Sequence, residues 1–600
     1  MIFNGLAVNT APLGGASGQS SGVTPQPIVS GRAFRWQLRM IVGGTDMSAR
    51  LSGQVEIDRE RGAAGLATFT LQLSLGQVLP MDWVGRTVTI DYLSTSGGAT
   101  TEVRRFTGRI VTTTWNSLAR LLECQCSDQL QQRIEKMTVA EVDSLIPANW
   151  SEDVFESPNG RSRWDYAQER LGTLQASLDA SAEGNLRLSS WYVTTDEHFA
   201  FGEGTTVYDS ISVSYADLTS LTNTVEIEAN YRFSRLHQLN ETYEWVHPDT
   251  AGFSGMQGFC AWRPDSSELP DVAMIEDAAS AAGLSITVEP EYNRVPLTTP
   301  DPCGDGQAWV NNYADLLLGV TFTGARRWTQ SVTETYTLTV VAEESVAQAG
   351  EVISRESLSI DYTSELVDGW EGTAFGTEAT AKAAGLTLDD DGNIVVSPVA
   401  SDGGVSGHAD VRDETQRTAA LLCILDQAVT TVVLAHSATT ITWNVPTSMV
   451  LDIDLVHTLL LDDQGVRSRG RCSRVLDTFD LGAGTALTTL AITVMRGGGE
   501  VMDALTPPAP SVEPQPEEGS AGIVYPALAT QLGGKTTSPT FDDDLDGFAG
   551  NYDNADPAYE VFSRRFQITA SEIAEDQRDE QTIEIAKTYR VAIPNDLLEL

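Results

Sequence analysis

The sequence predicts a mainly β fold with an α-containing insert. Short runs of alternating apolar and polar residues follow one another closely from Phe34 to Asp128. A strand, a glycine-containing turn and a second strand can be traced from Arg469 to Gly497. Helical spacing of apolar residues occurs in residues 129–204 and from Asp410 to Ala435. Strand-type alternation therefore dominates these two β-regions, and helices are predicted between them.

The first region combines a flexible start with a β-domain. Residues 1–31 are rich in Gly, Ser, Thr and Pro, which predicts an extended arm that orders only on a partner. Glycine turns separate the strands that follow, and their close spacing favours a small antiparallel barrel or sandwich. We predict a β-domain over residues 32–128 that is completed by about 205–240. Its predicted strands are Phe34–Val42, Gln54–Asp58, Ala67–Leu73, Thr87–Tyr92 and Arg105–Val111.

Helical signals mark residues 129–204 as an α-containing insert domain. Ser127 can cap a segment that carries Leu130 and Ile134 at helical spacing. Ser162 and Asp165 form a start that resembles a capping box.

The rest of the chain returns to strands. A short Ala-rich helix at 271–282 should end on Gly283, a suitable residue for a left-handed helix end. In the closing hairpin Val475 and Phe479 share one face. We predict a second β-domain with an α+β insertion over 241–497.

The C-terminal region differs in composition. Residues 498–520 are rich in proline and predict a semi-rigid linker. Residues 521–600 are acidic and show a weak core pattern, which predicts a docking extension for a partner.

Length and charge bound the class of protein. A chain of 600 residues should hold several domains, since single cores of roughly 100–200 residues are usual. The net charge of −45 argues against a free-standing nucleic-acid binder, which needs a basic footprint. Acidity suits a conduit that must not hold DNA, and it suits solubility equally well. We expect no membrane span and no secretory leader, because neither pattern is seen in the sequence.

Cysteines and histidines give little sign of a metal site. Cys124 and Cys126 should lie on one face of a strand, where buried thiols in a reducing cytoplasm are favoured over metal ligands. His436 and His457 lie in or beside apolar runs and are interpreted as core or edge residues whose polar atoms are satisfied.

Two segments resemble the tail-tip (baseplate) hub proteins of long-tailed bacteriophages. The first, Trp36 to Asp128, holds the run Phe106-Thr-Gly-Arg-Ile-Val and then Cys124-Gln-Cys-Ser-Asp. The second, Trp443 to Gly497, includes Asp480-Leu-Gly-Ala-Gly-Thr-Ala-Leu. The resemblance implies two tube-like antiparallel β-barrel domains with smaller α+β domains. It also implies a homotrimer that joins the tail tube or distal tail protein to a central spike or fiber protein.

The resemblance further implies a structural role at the virion tail tip, after assembly in the bacterial host cytoplasm. DNA would pass through an acidic channel during ejection without specific binding. We predict no enzyme activity and no catalytic residues. The alternatives are a host-surface adhesin or fiber component that uses the 12 tryptophans as sugar platforms, and a cell-wall hydrolase fused to a hub.

Two motifs could carry ligand chemistry. Gly533-Gly-Lys-Thr lacks the earlier glycine of a phosphate-binding loop, since Ala529 stands there. Calcium could bind an acidic loop that has carboxylates at positions 1, 3 and 5 and glycine at position 6. A solvated acidic loop is the other interpretation, because aspartate replaces the usual glutamate at position 12. The four candidate ligands are Asp542, Asp544, Asp546 and Asp553.

Overall fold

A computed structural model describes most of the chain. The longer described ranges are 35–74, 80–96, 99–215, 221–246, 271–286, 290–294, 317–363, 407–512 and 572–600. The shorter ones are 26–27, 298–299, 309–310, 315, 367, 387–388, 394–395, 524–525, 529–531, 534–535, 550–552, 560–562, 565–568 and 570.

The first part of the chain forms a curved antiparallel sheet. Buried and exposed residues alternate along its strands, so one face packs on a core and the other faces solvent. The strands are β1 (Gln26–Pro27), β2 (Arg35–Val42), β3 (Thr45–Asp46), β4 (Leu51–Glu60), β5 (Leu66–Gln72), β6 (Thr87–Ser96), β7 (Ala99–Asn116) and β8 (Leu121–Ser127). Short 3-10 helices lie at Ser48–Arg50 and Pro80–Trp83. The pairing order is β4-β5-β8-β7-β6-β2, and these strands share one core.

A helical insert follows β8. Its elements are α1 (Leu130–Ile134), α2 (Val139–Leu145), α3 (Arg163–Gly172), β9 (Ala176–Ala180) and β10 (Leu186–Ser190). The predicted start of α3 is confirmed, because the Ser162 side chain accepts a hydrogen bond from the Asp165 amide. Thr138 and Glu141 form a complete capping box at α2. The helices enclose a small core of their own.

Two very long strands dominate the middle of the chain. The elements here are β11 (Phe199–Phe201), β12 (Ser212–Ser214), β13 (Thr224–Val246), α4 (Val272–Ala281), β14 (Ser285–Ile286), β15 (Glu291–Arg294), β16 (Thr298–Thr299), β17 (Trp309–Val310), β18 (Leu317–Val341), α5 (Glu343–Ala349) and β19 (Ile353–Asp361). β13 and β18 pair antiparallel over the whole of β13. At ~3.3 Å per residue, the 23 residues of β13 span about 75 Å. The predicted helix at 271–282 is confirmed as α4, with Gly283 at a φ of 72° just beyond its end.

The pair of long strands is supported by a separate core at each end. Near Thr224 and Val341, residues such as Ile227 and Leu338 pack with the long helix α6 (Glu414–Ala435). Near Val246 and Leu317, Tyr243 and Phe322 pack with α4. Of the described helices, α6 is long and apolar enough to cross a membrane by length and composition alone. Its buried residues run from Arg417 to Val433, as expected for a helix that is apolar on most faces and lies inside a fold.

A second curved sheet is assembled from distant parts of the sequence. Three strands outside this sheet come first in the sequence: β20 (Thr387–Leu388), β21 (Ile394–Val395) and β22 (Gly407–Val411). The elements that complete the second sheet follow: β23 (Thr439–Pro446), a 3-10 helix at Thr447–Met449, β24 (Thr458–Asp463), β25 (Val466–Asp480) and β26 (Thr485–Val494). Together with β11 and β12 they enclose a core centred on Trp443, which is fully buried. The predicted closing hairpin is confirmed as β25 and β26.

The end of the chain returns to the body of the protein. Its elements are β27 (Val524–Tyr525), β28 (Ala529–Gln531), β29 (Gly534–Lys535), β30 (Gly550–Tyr552), β31 (Glu560–Phe562), β32 (Arg565–Gln567), a 3-10 helix at Glu575–Gln577, β33 (Gln581–Arg590) and β34 (Leu598–Glu599). β33 runs parallel to β18, and β34 pairs with β25. Tyr589 and Ile593 are buried in the same core as α6. Residues 581–599 thus belong to the chain's own fold, although the sequence pattern predicted only a weak core and a docking extension.

The fold class is confirmed at the level of secondary structure. Strands dominate the described residues, helices form the insert and the inner helix α6, and the large sheets are chiefly antiparallel. Among the described residues no ladder joins β2 to β4, so the first sheet is open by hydrogen bonding. The layout of two closed barrels therefore stays a prediction.

Candidate functional site: the joined sheet and its free edges

Strand β25 belongs to both curved sheets. Its first half pairs with β24, and its second half pairs with β4. Both partners lie along one side of β25, because β26 occupies the other side. The change of partner occurs at a register shift between Cys472 and Arg474, where a bulge bends the strand. The result is one sheet in the order β12-β23-β26-β25-β4-β5-β8-β7-β6-β2.

A buried ion pair connects strands at the place where the two sheets meet along β25, which we call the joint. The Arg105 guanidinium donates two hydrogen bonds of 2.8 Å to Asp477, and a third of 2.9 Å to the Leu451 carbonyl. The two side chains are 1% and 0% exposed. The Thr488 hydroxyl also donates to Asp477 at 2.6 Å. Burial lowers the pKa of Arg105, but the attraction of Asp477 more than offsets it, so the net pKa of Arg105 is raised and its guanidinium stays charged.

The curvature brings the far strand β2 over the joint. Trp36 of β2 stacks on Tyr92, and its ring centroid lies 5.9 Å from that of Phe479 on β25. The Trp36 indole also donates a hydrogen bond to the Gly484 carbonyl at 3.2 Å. These contacts join opposite ends of the first sheet around one core, which gives the sheet a concave apolar side and a convex polar side.

The polar side of the joint carries chiefly neutral and acidic side chains, and Arg474 on this side is paired with Asp58 at 2.6 Å. One row crosses β25, β4, β5, β8 and β7 in register, and all its members point away from the core; it contains Thr478, Glu56, Thr68, Gln125 and Thr112. Glu60 and Glu123 add charge nearby, and both are exposed. Side chains of this kind have little attraction for phosphate groups, because they supply no cluster of cations.

The path just described ends in two open edges, while a branch of the same sheet runs from β25 through β24 and β11 to β1. Among the described residues β12 pairs only with β23, and Arg35–Arg39 of β2 pair only with β6. Open edges present unpaired backbone groups that can pair with another chain. Two exposed tyrosines flank β12: Tyr208 is 88% exposed and Tyr215 is 62% exposed. Exposed aromatic residues beside an open edge are typical of a contact surface between proteins.

The predicted cysteine and histidine environments can be compared directly with the structure. Cys124 and Cys126 lie buried on one face of β8, as predicted, and burial raises the pKa of Cys124 to about 12. His436 is buried at the end of α6 with both ring nitrogens 2.7 Å from a partner, the Val432 carbonyl and the Ser345 hydroxyl. Burial, with some contribution from His198, lowers the pKa of His457 to about 4, so its ring is neutral and accepts a hydrogen bond from the Asp454 amide.

The calcium hypothesis is not tested by the structure. Asp542, Asp544, Asp546 and Asp553 all lie outside the described residues, so the loop stays a prediction. Within the described ranges no group of three or more His, Cys, Asp or Glu side chains is placed to hold a metal ion. None of the tryptophans whose exposure is described is an exposed side chain, and Trp443 is completely buried.

Sequence reasoning missed the Arg105–Asp477 pair. A signal was present for Asp477, which lies between Val475 and Phe479 on the face predicted to be apolar. A charged residue at a core position demands a partner of opposite charge. Arg105 gave no such signal, because it directly precedes Phe106 and both are buried, so simple alternation fails there. The break in alternation follows from a register shift between β6 and β7 at Ile90 and Asp91.

Several solved structures match this chain at low similarity. A tail protein from Neisseria meningitidis MC58 is 9% identical with a TM-score of 0.35, covering 76% of this chain and 96% of that one. The 43 kDa tail protein of prophage MuSo2 from Shewanella oneidensis is 10% identical with a TM-score of 0.32, covering 76% and 98%. Prophage tail protein gp18 from Listeria monocytogenes EGD-e is 8% identical with a TM-score of 0.27, covering 76% and 94%.

No protein-family model matches the sequence. No curated protein matches it either. At TM-scores this low, the function has to be argued from the chain's own residues and geometry.

Proposed function

We propose that the chain is a structural protein of a bacteriophage tail tip, a hub that assembles into a ring. In this proposal three copies form a homotrimer around a channel through which DNA passes during ejection. The ring joins the tail tube or distal tail protein on one side to a central spike or fiber protein on the other. The proposal includes a location in the virion tail, after assembly in the host cytoplasm.

The observation that carries the proposal is the fusion of two curved sheets through β25. Each sheet has its own core, and the two are joined edge to edge by β-ladders within one chain. The two ends of the path from β12 to β2, namely β12 and the Arg35–Arg39 part of β2, are open among the described residues. A contact between the β12 edge of one copy and the β2 edge of the next would repeat the join that already exists inside the chain. Such head-to-tail contacts close into a ring when the rotation per copy is suitable.

Charge supports the channel. The row from Thr478 to Thr112 faces away from the core and contains neutral hydroxyl and amide groups with Glu56. The net charge of the chain is −45. A channel lined by such groups would let a polyanion slide, because the acids repel its phosphates and few cations bind them.

The test measures assembly of the full-length chain. Mass photometry and negative-stain imaging should show a trimeric ring with a central opening. The double variant Ser212→Lys and Ser214→Lys places two charges on the exposed side chains of β12, where charged edge residues oppose pairing. We expect this variant to remain monomeric with an unchanged circular dichroism spectrum.

A matched control separates edge pairing from added charge. Ser144→Lys together with Ser157→Lys adds the same charge to exposed positions in the helical insert. This control should assemble like the wild type. A wild-type chain that stays an elongated monomer at micromolar concentration would overturn the proposal. Equal assembly of the β12 variant and the control would overturn the assignment of the edge.

A further inference from the structure

Four arginines from different parts of the chain meet beside the bulge of β25. Arg59 is on β4, and Arg61 is the first residue after the end of that strand. Arg187 is on β10 of the helical insert, and Arg471 is on β25. The backbone amide of Arg61 donates to the Ser473 carbonyl at the bulge itself, at 2.9 Å. The cluster, which we call the arginine junction, is therefore where both sheets and the insert come together.

The two carboxylates of the arginine junction are bonded to Arg59 and Arg187. Asp454 accepts from Arg59 Nη1 at 2.7 Å on one oxygen and from Arg187 Nη1 at 2.8 Å on the other. Asp179 accepts from Arg187 Nε at 2.8 Å and from the Ser189 hydroxyl at 2.7 Å. Two carboxylates thus serve Arg59 and Arg187, and neither bonds to the other two arginines.

Neither Arg61 nor Arg471 forms an ion pair with a carboxylate among the described residues, although Asp179 is near enough to attract both. The Nη1 atom of Arg61 is 3.3 Å from the Thr493 hydroxyl, and its guanidinium lies over the Trp191 ring. Arg471 is the residue directly across the ladder from Thr493, so its side chain lies beside that threonine on the same face. The two unpaired guanidinium groups therefore share one small region.

Buried donors in the junction have no hydrogen-bond partner in the part of the chain that the structure describes. They are Nε and Nη2 of Arg59, Nη2 of Arg187 and Nε of Arg471. Arg59 is 3% exposed and Arg471 is 7% exposed, so water has little access to them. An unsatisfied buried donor on a charged group is costly, and a native fold normally supplies an acceptor.

We propose that the arginine junction binds a small inorganic oxyanion of the phosphate class. Such an anion offers several acceptor oxygens and up to two negative charges. It would satisfy the free donors and balance the two guanidinium groups that lack carboxylates. Bound there, it would fasten the two sheets and the insert together.

The electrostatics of the junction agree with this assignment. Burial, aided by Arg61 and Arg187, lowers the pKa of Arg471 to about 10 despite the opposing effect of Cys472 and Asp179. Burial also lowers the pKa of Arg61. Desolvation is the largest cause of both shifts, so both guanidinium groups would gain from an anionic partner that replaces the lost water.

The test uses inorganic phosphate and the full-length chain. Calorimetric titration in a phosphate-free buffer should give saturable binding with one site per chain. The melting temperature should rise with phosphate concentration and should not rise with chloride at the same ionic strength, because only a ligand of the native state stabilises by mass action. The absence of both effects would overturn the proposal.

A substitution separates binding from folding. Arg471→Met keeps the length of the side chain and removes its charge. We expect it to reduce phosphate affinity at least tenfold while the melting temperature in chloride stays equal or rises, because an uncompensated buried charge is removed. Arg39→Met at the surface is the matched control and should bind phosphate like the wild type. If Arg471→Met does not fold, Arg471→Lys provides the test and should retain weakened binding. Unchanged affinity in the variant would refute the site.

A competition experiment identifies the source of the phosphate group. A short DNA duplex should not displace inorganic phosphate, because donors with 3% and 7% exposure are out of reach of a nucleic-acid backbone. Displacement by DNA would overturn the assignment to a small anion.

Discussion

Removal of Arg105 should weaken the joint between the two sheets more than any change at the surface. The side chain lies on β7 and reaches Asp477 of β25 with two hydrogen bonds of 2.8 Å. Arg105→Met keeps most of the apolar volume but leaves the Asp477 carboxylate buried, with the Thr488 hydroxyl as its remaining side-chain hydrogen-bond donor among the described residues. The pair is 1% and 0% exposed, so solvent cannot replace the lost partner.

The expected loss of stability in Arg105→Met follows from the burial of the ion pair. Breaking a buried ion pair from one side costs about 3–5 kcal/mol, because an uncompensated charge remains in the core. Removing both members in Arg105→Met with Asp477→Leu should recover most of this loss, since apolar residues of similar volume replace a buried pair at little cost. The exposed pair Arg39–Glu102 is 42% exposed at both ends, and Arg39→Met should cost below about 1 kcal/mol.

Hydrogen-exchange mass spectrometry measures the effect where it should occur. A loss of about 3–5 kcal/mol corresponds to a fall in amide protection of at least roughly 100-fold. We expect this fall in peptides from β7 and β25, and no change in peptides from the distant α4. Protection in Arg105→Met that stays within about threefold of the wild type would refute the reasoning. So would a double variant as unstable as the single one.

Two further predictions concern burial and close packing. Burial raises the pKa of Asp426 to about 6, although the hydrogen bond from Asn149 works against this rise. The folded protein therefore holds this proton more tightly than the unfolded chain, and the free energy of unfolding should fall as pH rises from about 4 to about 6. In urea unfolding, Asp426→Asn should raise the free energy of unfolding by on the order of 2 kcal/mol at pH 7.5 and leave it unchanged at pH 4. An equal change at both pH values would contradict the raised pKa. Gly497→Ala would bring a new Cβ to 2.7 Å from the Ile593 Cβ, and we expect a loss of about 1–3 kcal/mol by thermal unfolding. The control Gly172→Ala meets no atom within 4 Å and should be neutral or slightly stabilising.

The sequence was sufficient for most local structure. Alternation predicted the strands of the first sheet, a side-chain cap predicted the start of α3, and helical spacing of apolar residues predicted the region of α6. All three signals depend only on neighbours in the chain. The hairpin of β25 and β26 was predicted for the same reason. The pairing of β25 with β4 was not predicted, since it joins Asp477 to Ile57 across more than 400 positions. No local pattern specifies which distant edge a strand will meet.

The C-terminal strand β33 also could not be placed from local sequence, because its partner β18 is far away in the chain. β33 has an alternating pattern, Gln581 to Arg590, but its neighbours in sequence are acidic and suggested an extension outside the fold. It is held instead by a parallel ladder to β18 and by Tyr589, whose hydroxyl donates to the Thr506 carbonyl at 2.7 Å. A parallel pair needs a partner far away in sequence, so composition alone could not reveal it.

The proposed ring and the joint inside the chain depend on the same geometry. If the contact between copies repeats the contact between the two sheets, the angle set at β25 must match the angle between copies, or the ring will not close. The bulge at Cys472 and the Arg105–Asp477 pair fix that angle within the chain. Arg105→Met should therefore reduce ring closure as well as stability, and assembly should be lost at urea concentrations where the monomer is still folded. The double variant with Asp477→Leu refills the core but lacks the directional bonds, so it should regain stability before it regains assembly. Equal recovery of both properties would show that the pair stabilises the fold without setting its shape.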